Sequence, residues 1–137
     1  MVNVDLIKNK AAQLASYLID LDDLQGIDLE QYRLDKKNQR YVERTLHLAI
    51  ECCLDIGSHI IADNGWREPL DKKDIFAILE ENAVISCELL PKLQKMAQFR
   101  NILVHDYAKI DPEIVYLVLI QNLVDFREYI RAVDRLL

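Results

Sequence analysis

Apolar side chains along this chain recur at steps of three and four, the spacing that keeps one face of an α-helix dry. Val4, Ile7, Ala11, Leu14, Leu18 and Leu21 set the rhythm first, so residues 3–25 read as an amphipathic helix with Gly26 as its stop. Asp28 is the expected cap for a short turn of helix through Tyr32 and Leu34. A second long helix runs from about Lys37 to Ala62, its stripe built from Val42, Leu46, Ala49, Cys53, Ile56 and Ile60, and Asn64-Gly65 ends it. Beyond Pro69, Asp71 is placed to cap a third helix carrying Ile75, Phe76, Ile78 and Leu79. Ser86 is placed to cap a fourth, which accepts Pro91 only in or just before its first turn and carries Leu93, Met96, Phe99, Leu103 and Val104 to the core. Asp111-Pro112-Glu113 is a restart signal: an N-cap, a proline at the first helical position, and an acid at the positive end. The fifth helix, about 112–136, buries Val115, Leu119, Leu123, Phe126 and Ile130. The pattern predicts an all-α fold, an up-down bundle of four long helices plus a short one, in one domain over residues 1–137.

Composition supports that reading. Only three glycines and three prolines occur in 137 residues, too few for the many tight turns of an all-β fold. Apolar residues make up 51% and charged residues 29%, the balance of a globular chain rather than a disordered one. The first residues do not resemble a signal peptide, and runs such as Ile114 to Ile120 are too short to span a bilayer, so a soluble, cytoplasmic protein is expected. Cys52, Cys53 and Cys87 lack metal-ligand spacing and read as reduced thiols buried in helices.

A formal net charge of −6 argues against a generic nucleic-acid coat protein. It leaves room for a local basic groove, because Lys36, Lys37, Arg40 and Arg44 cluster in one segment and Lys92, Lys95 and Arg100 in another. The acidic excess lies elsewhere, from Asp20 to Asp23 and from Asp74 to Glu88.

The chemistry concentrates in Phe99-Arg100-Asn101-Ile102-Leu103-Val104-His105-Asp106-Tyr107. Gln94, Gln98, Asn101 and His105 share one stripe of the fourth helix, and Arg100 and Tyr107 share a neighbouring one if the helix continues that far. Arg100 and His105 then differ by about 140° around the axis, so two copies of the chain would converge them on one phosphate more readily than one. These side chains suit RNA cleavage, in which the ribose 2′-OH attacks its own phosphate. Histidine titrates near neutrality and exchanges the proton. A guanidinium forks onto phosphate oxygens and keeps its charge through the anionic phosphorane. Asn101 would orient the phosphate or the imidazole. The plainer alternative is a salt-bridged Arg100, a His105 bonded to a carbonyl at the helix end, and a Tyr107 at the edge of the core.

Arg44, His47, Glu51, Asp55 and Ser58 form a second polar stripe, on the second helix. It reads either as a solvated face of i,i+4 pairs or as the wall of the same cleft, with Arg44, His47 and Glu51 facing His105. Metal binding by His47, Glu51 and Asp55 is geometrically conceivable but disfavoured, and no metal or other cofactor is expected. Trp66 is either a cap on the core or an anchor for a partner.

The stretch Arg100-Asn101-Ile102-Leu103-Val104-His105-Asp106-Tyr107 closely resembles the R-x4-H-x-Y motif of HEPN-domain proteins, specifically the HepT toxin family. Glu43 through Glu51 followed by Leu54-Asp55-Ile56, Phe76 through Met96, and Ile110-Asp111 with Ile114-Val115-Tyr116 are similar to the same family, so the likeness spans about residues 37–130. The resemblance implies a homodimeric, metal-independent endoribonuclease, the toxin of a toxin–antitoxin system. In it Arg100 and His105 of both protomers would line a shared cleft and act on RNA. It also implies a minimal nucleotidyltransferase (MNT) antitoxin that transfers AMP to Tyr107 and so switches the enzyme off. The alternative from another class is a non-catalytic HEPN module that binds nucleotide or scaffolds a nucleotidyltransferase.

Overall fold

Aspartate and asparagine side chains open most of the helices and fix where they begin. A computed structural model describes residues 3–137, except for the side chain of Tyr107. Helix α1 (Val4–Asp22) starts behind Asn3, whose side chain accepts from the Leu6 amide. Asp28 opens α2 (Leu29–Leu34) through a reciprocal capping box with Gln31. Asp35 opens α3 (Lys36–Asn64) and Asp71 opens α4 (Lys72–Glu81), each accepting from the amide three residues on. Ser86 accepts from the Leu89 amide at 3.1 Å and so organises the turn that leads into α5 (Leu89–His105). Asp111 opens α6 (Pro112–Gln121), with Pro112 in the first turn as predicted, and α7 (Leu123–Leu136) closes the chain. A 3-10 turn at Tyr107–Lys109 links α5 to α6, and no strand occurs among the described residues.

Helix α3 runs through the centre, packed by α1, α2, α4, α5 and α6. Its length and apolar content would by composition suffice to cross a membrane, but its long stripe from Val42 to Ile61 is the buried middle of the bundle. Gly65 ends it in the left-handed conformation (φ 65°), which glycine adopts without steric cost. Gly57 serves a different need. A Cβ there would lie 2.6 Å from Ile75 Cγ2 of α4 and 3.3 Å from the Tyr129 hydroxyl of α7, so its bare backbone lets three helices meet. Tyr129 is fully buried and donates to the Cys53 carbonyl at 2.8 Å, tying α7 to α3.

The structure corrects two expectations. The single fifth helix is broken at Asn122, whose side chain donates to Asp125 at 3.0 Å while its own carbonyl accepts from the Asp125 amide. The described residues thus hold seven α-helices in an all-α bundle, with the expected fifth helix divided into α6 and α7. Cys87 is exposed in the α4–α5 connection, while Cys52 and Cys53 are buried in α3. Trp66 lies half-buried against the core behind the end of α3.

Candidate active site

The C-terminal half of α5 packs on the middle of α3, and that contact builds the site. Leu93, Met96 and Leu103 hold α5 down as buried side chains, with Phe99 half-buried beside them. The Arg100 side chain, only 15% exposed, turns towards α3, and its Nε donates to Glu51 Oε1. Its Nη1 donates to Asn101 Oδ1 at 3.3 Å. The salt-bridged alternative for Arg100 therefore describes its resting contact.

Glu51 is shared. Its Oε1 also lies 3.7 Å from His47 Nε2, one helical turn back on α3. On the other edge of that imidazole, Arg44 Nη1 donates to Nδ1 at 3.1 Å. A guanidinium only donates, so Nδ1 is the accepting nitrogen and the ring proton sits on Nε2, towards Glu51. Burial holds the His47 imidazole below its ordinary pKa; Glu51 partly offsets this, and Arg44 and Arg100 add to it. With Nδ1 accepting and its one ring proton on Nε2, His47 takes the neutral form in this arrangement. The result is one chain of contacts, Arg44–His47–Glu51–Arg100–Asn101, running from α3 across to α5.

Two clefts flank it. One, of about 530 Å³, is lined by Arg40, Glu43, Arg44 and His47 of α3, Leu103 of α5, and Ile110 beyond the 3-10 turn. The other, of about 330 Å³, lies where α4 begins and is lined by Asp71, Lys72, Lys73, Ala97, Gln98 and Asn101. Glu43 is buried, which raises its carboxyl pKa, and the Arg40 guanidinium opposes that rise by binding both carboxylate oxygens at 3.0 and 3.2 Å.

The structure thus brings together Arg44, His47, Glu51, Arg100 and Asn101, all named from spacing. His105 is not part of that chain of contacts. His105 is the last residue of α5, exposed, and makes no hydrogen bond or ion pair among the described residues. The expected Arg100–Tyr107 stripe is absent as well, because α5 stops at His105. Asp106 leaves helical geometry (φ −131°, ψ 50°), and its carbonyl accepts from Lys109 to form the separate turn. The Tyr107 side chain, the expected modification site, lies outside the described residues. Among those residues no group of three or more His, Cys, Asp or Glu is placed to hold a metal ion.

Spacing missed Arg40, Glu43, Leu103 and Ile110 as cleft residues. For the first two a signal existed: Arg40 and Glu43 extend the Arg44–His47–Glu51 stripe one turn towards the helix start. Leu103 and Ile110 carry no such signal, since they look like any core aliphatic.

Chemically, the site presents a fork-shaped cation held in place, a second cation in Arg44, a neutral imidazole, a side-chain amide and a solvent-facing imidazole. That inventory fits an anionic diester. The ribonuclease HepT-like family pattern matches residues 7–133. The chain is 33% identical over 129 residues to the mRNA nuclease HepT of Shewanella oneidensis, covering 94% of this chain and 96% of that one. It is 26% identical over 136 residues to the tRNA nuclease HepT of Aphanizomenon flos-aquae, covering 98% and 92%. Its fold superposes on the solved structure of the tri-AMPylated Shewanella oneidensis HEPN toxin in complex with MNT antitoxin, with a TM-score of 0.88, 32% identity, and coverage of 96% and 98%. On these grounds the chain belongs to the ribonuclease HepT-like family.

Proposed function

We propose that this chain is the toxin of a toxin–antitoxin pair and cleaves RNA without a metal ion, using Arg100 and His105. The observation that carries the reading is the Arg100 guanidinium, fixed by Glu51 and Asn101 on the helix that ends in an exposed His105. A held fork needs little reorganisation when charge builds on the phosphorane, which is where electrostatic catalysis gains most. His105 moves the proton of the 2′-OH or of the leaving oxygen. Asn101 orients Arg100, and Glu51, His47 and Arg44 form the wall that positions it.

A second copy of the chain completes the site in this reading. Helix α6 is apolar on nearly every side and leaves Ile114, Leu117 and Ile120 exposed, with Val124 just beyond. Such a helix is normally covered, and a homodimer would cover it. An MNT nucleotidyltransferase is the proposed regulator, transferring AMP to Tyr107. The added phosphate would place negative charge next to the motif and repel the RNA backbone. The proposed compartment is the cytoplasm, where the RNA and the antitoxin would both be met.

Purified, unmodified protein is expected to fragment total RNA, and to keep doing so in excess chelator. Intact RNA under both conditions would favour the non-catalytic nucleotide-binding or scaffold module instead. Loss of activity only with chelator would remove the metal-independent mechanism. Co-expression with the antitoxin should raise the intact mass by one or more AMP units, and Tyr107→Phe should abolish that shift. An unchanged mass on co-expression would rule out the modification.

A further inference from the structure

We propose that the 530 Å³ cleft beside the motif is a binding site for one nucleoside monophosphate unit, with the phosphate on Arg44 and the base against Leu103 and Ile110. The volume lies within the range of small-molecule sites. Its lining is mixed: α3 supplies the polar Arg40, Glu43, Arg44 and His47, while Leu103 of α5 and Ile110 supply apolar surface. A nucleotide combines the same two kinds of surface.

The charges set which nucleotide fits. Arg40 is committed to Glu43 through both carboxylate oxygens. Arg44 has no acidic partner among the described residues, and its one described bond, to His47 Nδ1, steadies the guanidinium and leaves its other N–H groups without acceptors. His47 is neutral, so the lining carries one uncompensated positive charge, which suits a monophosphate better than a polyphosphate.

Two sources could supply that chemistry, and both rest on the reading above. One is the RNA nucleotide next to the phosphate held at Arg100, because Glu51 joins the Arg100 end of the site to the His47 end. The other is an AMP group on Tyr107, whose backbone lies in the turn between the cleft residues Leu103 and Ile110. If both use the cleft, modification would displace substrate from a pocket as well as repel it.

Calorimetry on the full, unmodified chain tests the site directly, with 5′-AMP, adenosine and inorganic phosphate as separate probes. Saturable AMP binding is expected, with adenosine and phosphate each at least about tenfold weaker. Arg44→Ala and Arg44→Gln should both weaken AMP by about tenfold, towards the adenosine value. Adenosine binding as tightly as AMP, Arg44 variants binding like the parent, or no saturation at all would each overturn the proposal. The sources separate in competition. RNA made uncleavable by 2′-deoxy substitution should displace AMP if the cleft holds substrate. Protein already AMPylated on Tyr107 should no longer take up free AMP if the cleft holds the modification. AMP binding reduced by neither would overturn the assignment to this system. No arm reads RNA cleavage, so a catalytically silent protein leaves the binding result standing.

Discussion

His105→Ala is expected to slow RNA cleavage by about 10²–10⁴-fold, the usual worth of a positioned proton-transfer group. The position allows a clean test. His105 is exposed, ends α5, and supports nothing in the core, so the variant should unfold within about 0.5 kcal/mol of the parent. A single-turnover assay on a defined RNA, beside a thermal melt, reads both quantities. Full activity in a folded His105→Ala protein would remove the imidazole from the mechanism and leave Arg100 without a proton-transfer partner. His47 is not a ready substitute. Its Nδ1 is occupied by Arg44, and its remaining proton faces Glu51 rather than solvent.

Arg100→Ala should lower the cleavage rate by about 10²–10³-fold, comparable to removing one donor aimed at a developing oxyanion. Arg100 also neutralises Glu51 in a half-buried setting. Its loss leaves that carboxylate with only His47 nearby, and stability should fall by about 1–2 kcal/mol. The pair of variants Arg100→Ala and Arg100→Ala/Glu51→Ala separates the two effects. Removing the stranded carboxylate should restore the melting temperature and leave cleavage as slow as in the single variant. Recovery of cleavage in the double variant would mean that Arg100 serves the fold and not the phosphate. Arg100→Lys should fall between the two, since it keeps the charge and loses the fork.

How much of this was legible in the sequence depends on how far apart the interacting residues lie. Helix starts were readable because a cap spans only two or three positions: Asp28 with Gln31, Asp71 with Asp74, Asp111 with Glu113. The break at Asn122 was hidden because the apolar rhythm Val115, Leu119, Leu123, Phe126 runs straight through it, and all four are buried. The interruption is a one-residue bend at Asn122 (φ −112°, ψ 0°), which periodicity does not register. At the site, spacing placed Arg44, His47 and Glu51 on one face, because a single helix carries them. It could not bring Glu51 to Arg100, which are 49 residues apart and meet only because α5 packs on α3. Nor could it show that α5 would end at His105 and leave Tyr107 in a separate turn.

The Glu51 contact also bears on how substrate enters. Arg100 is never bare: in the resting protein its Nε already faces an oxygen anion, and much of its water has been stripped by folding. In the proposed mechanism a phosphate arriving there would join or replace a carboxylate rather than a hydration shell. Binding at that point would be an anion exchange, driven by the difference between two ion pairs. Such a difference is small, and it shifts with anything that tilts Glu51, including the imidazole beside it. In that mechanism the guanidinium would be held in shape for the transition state by the same carboxylate that competes with the substrate for it.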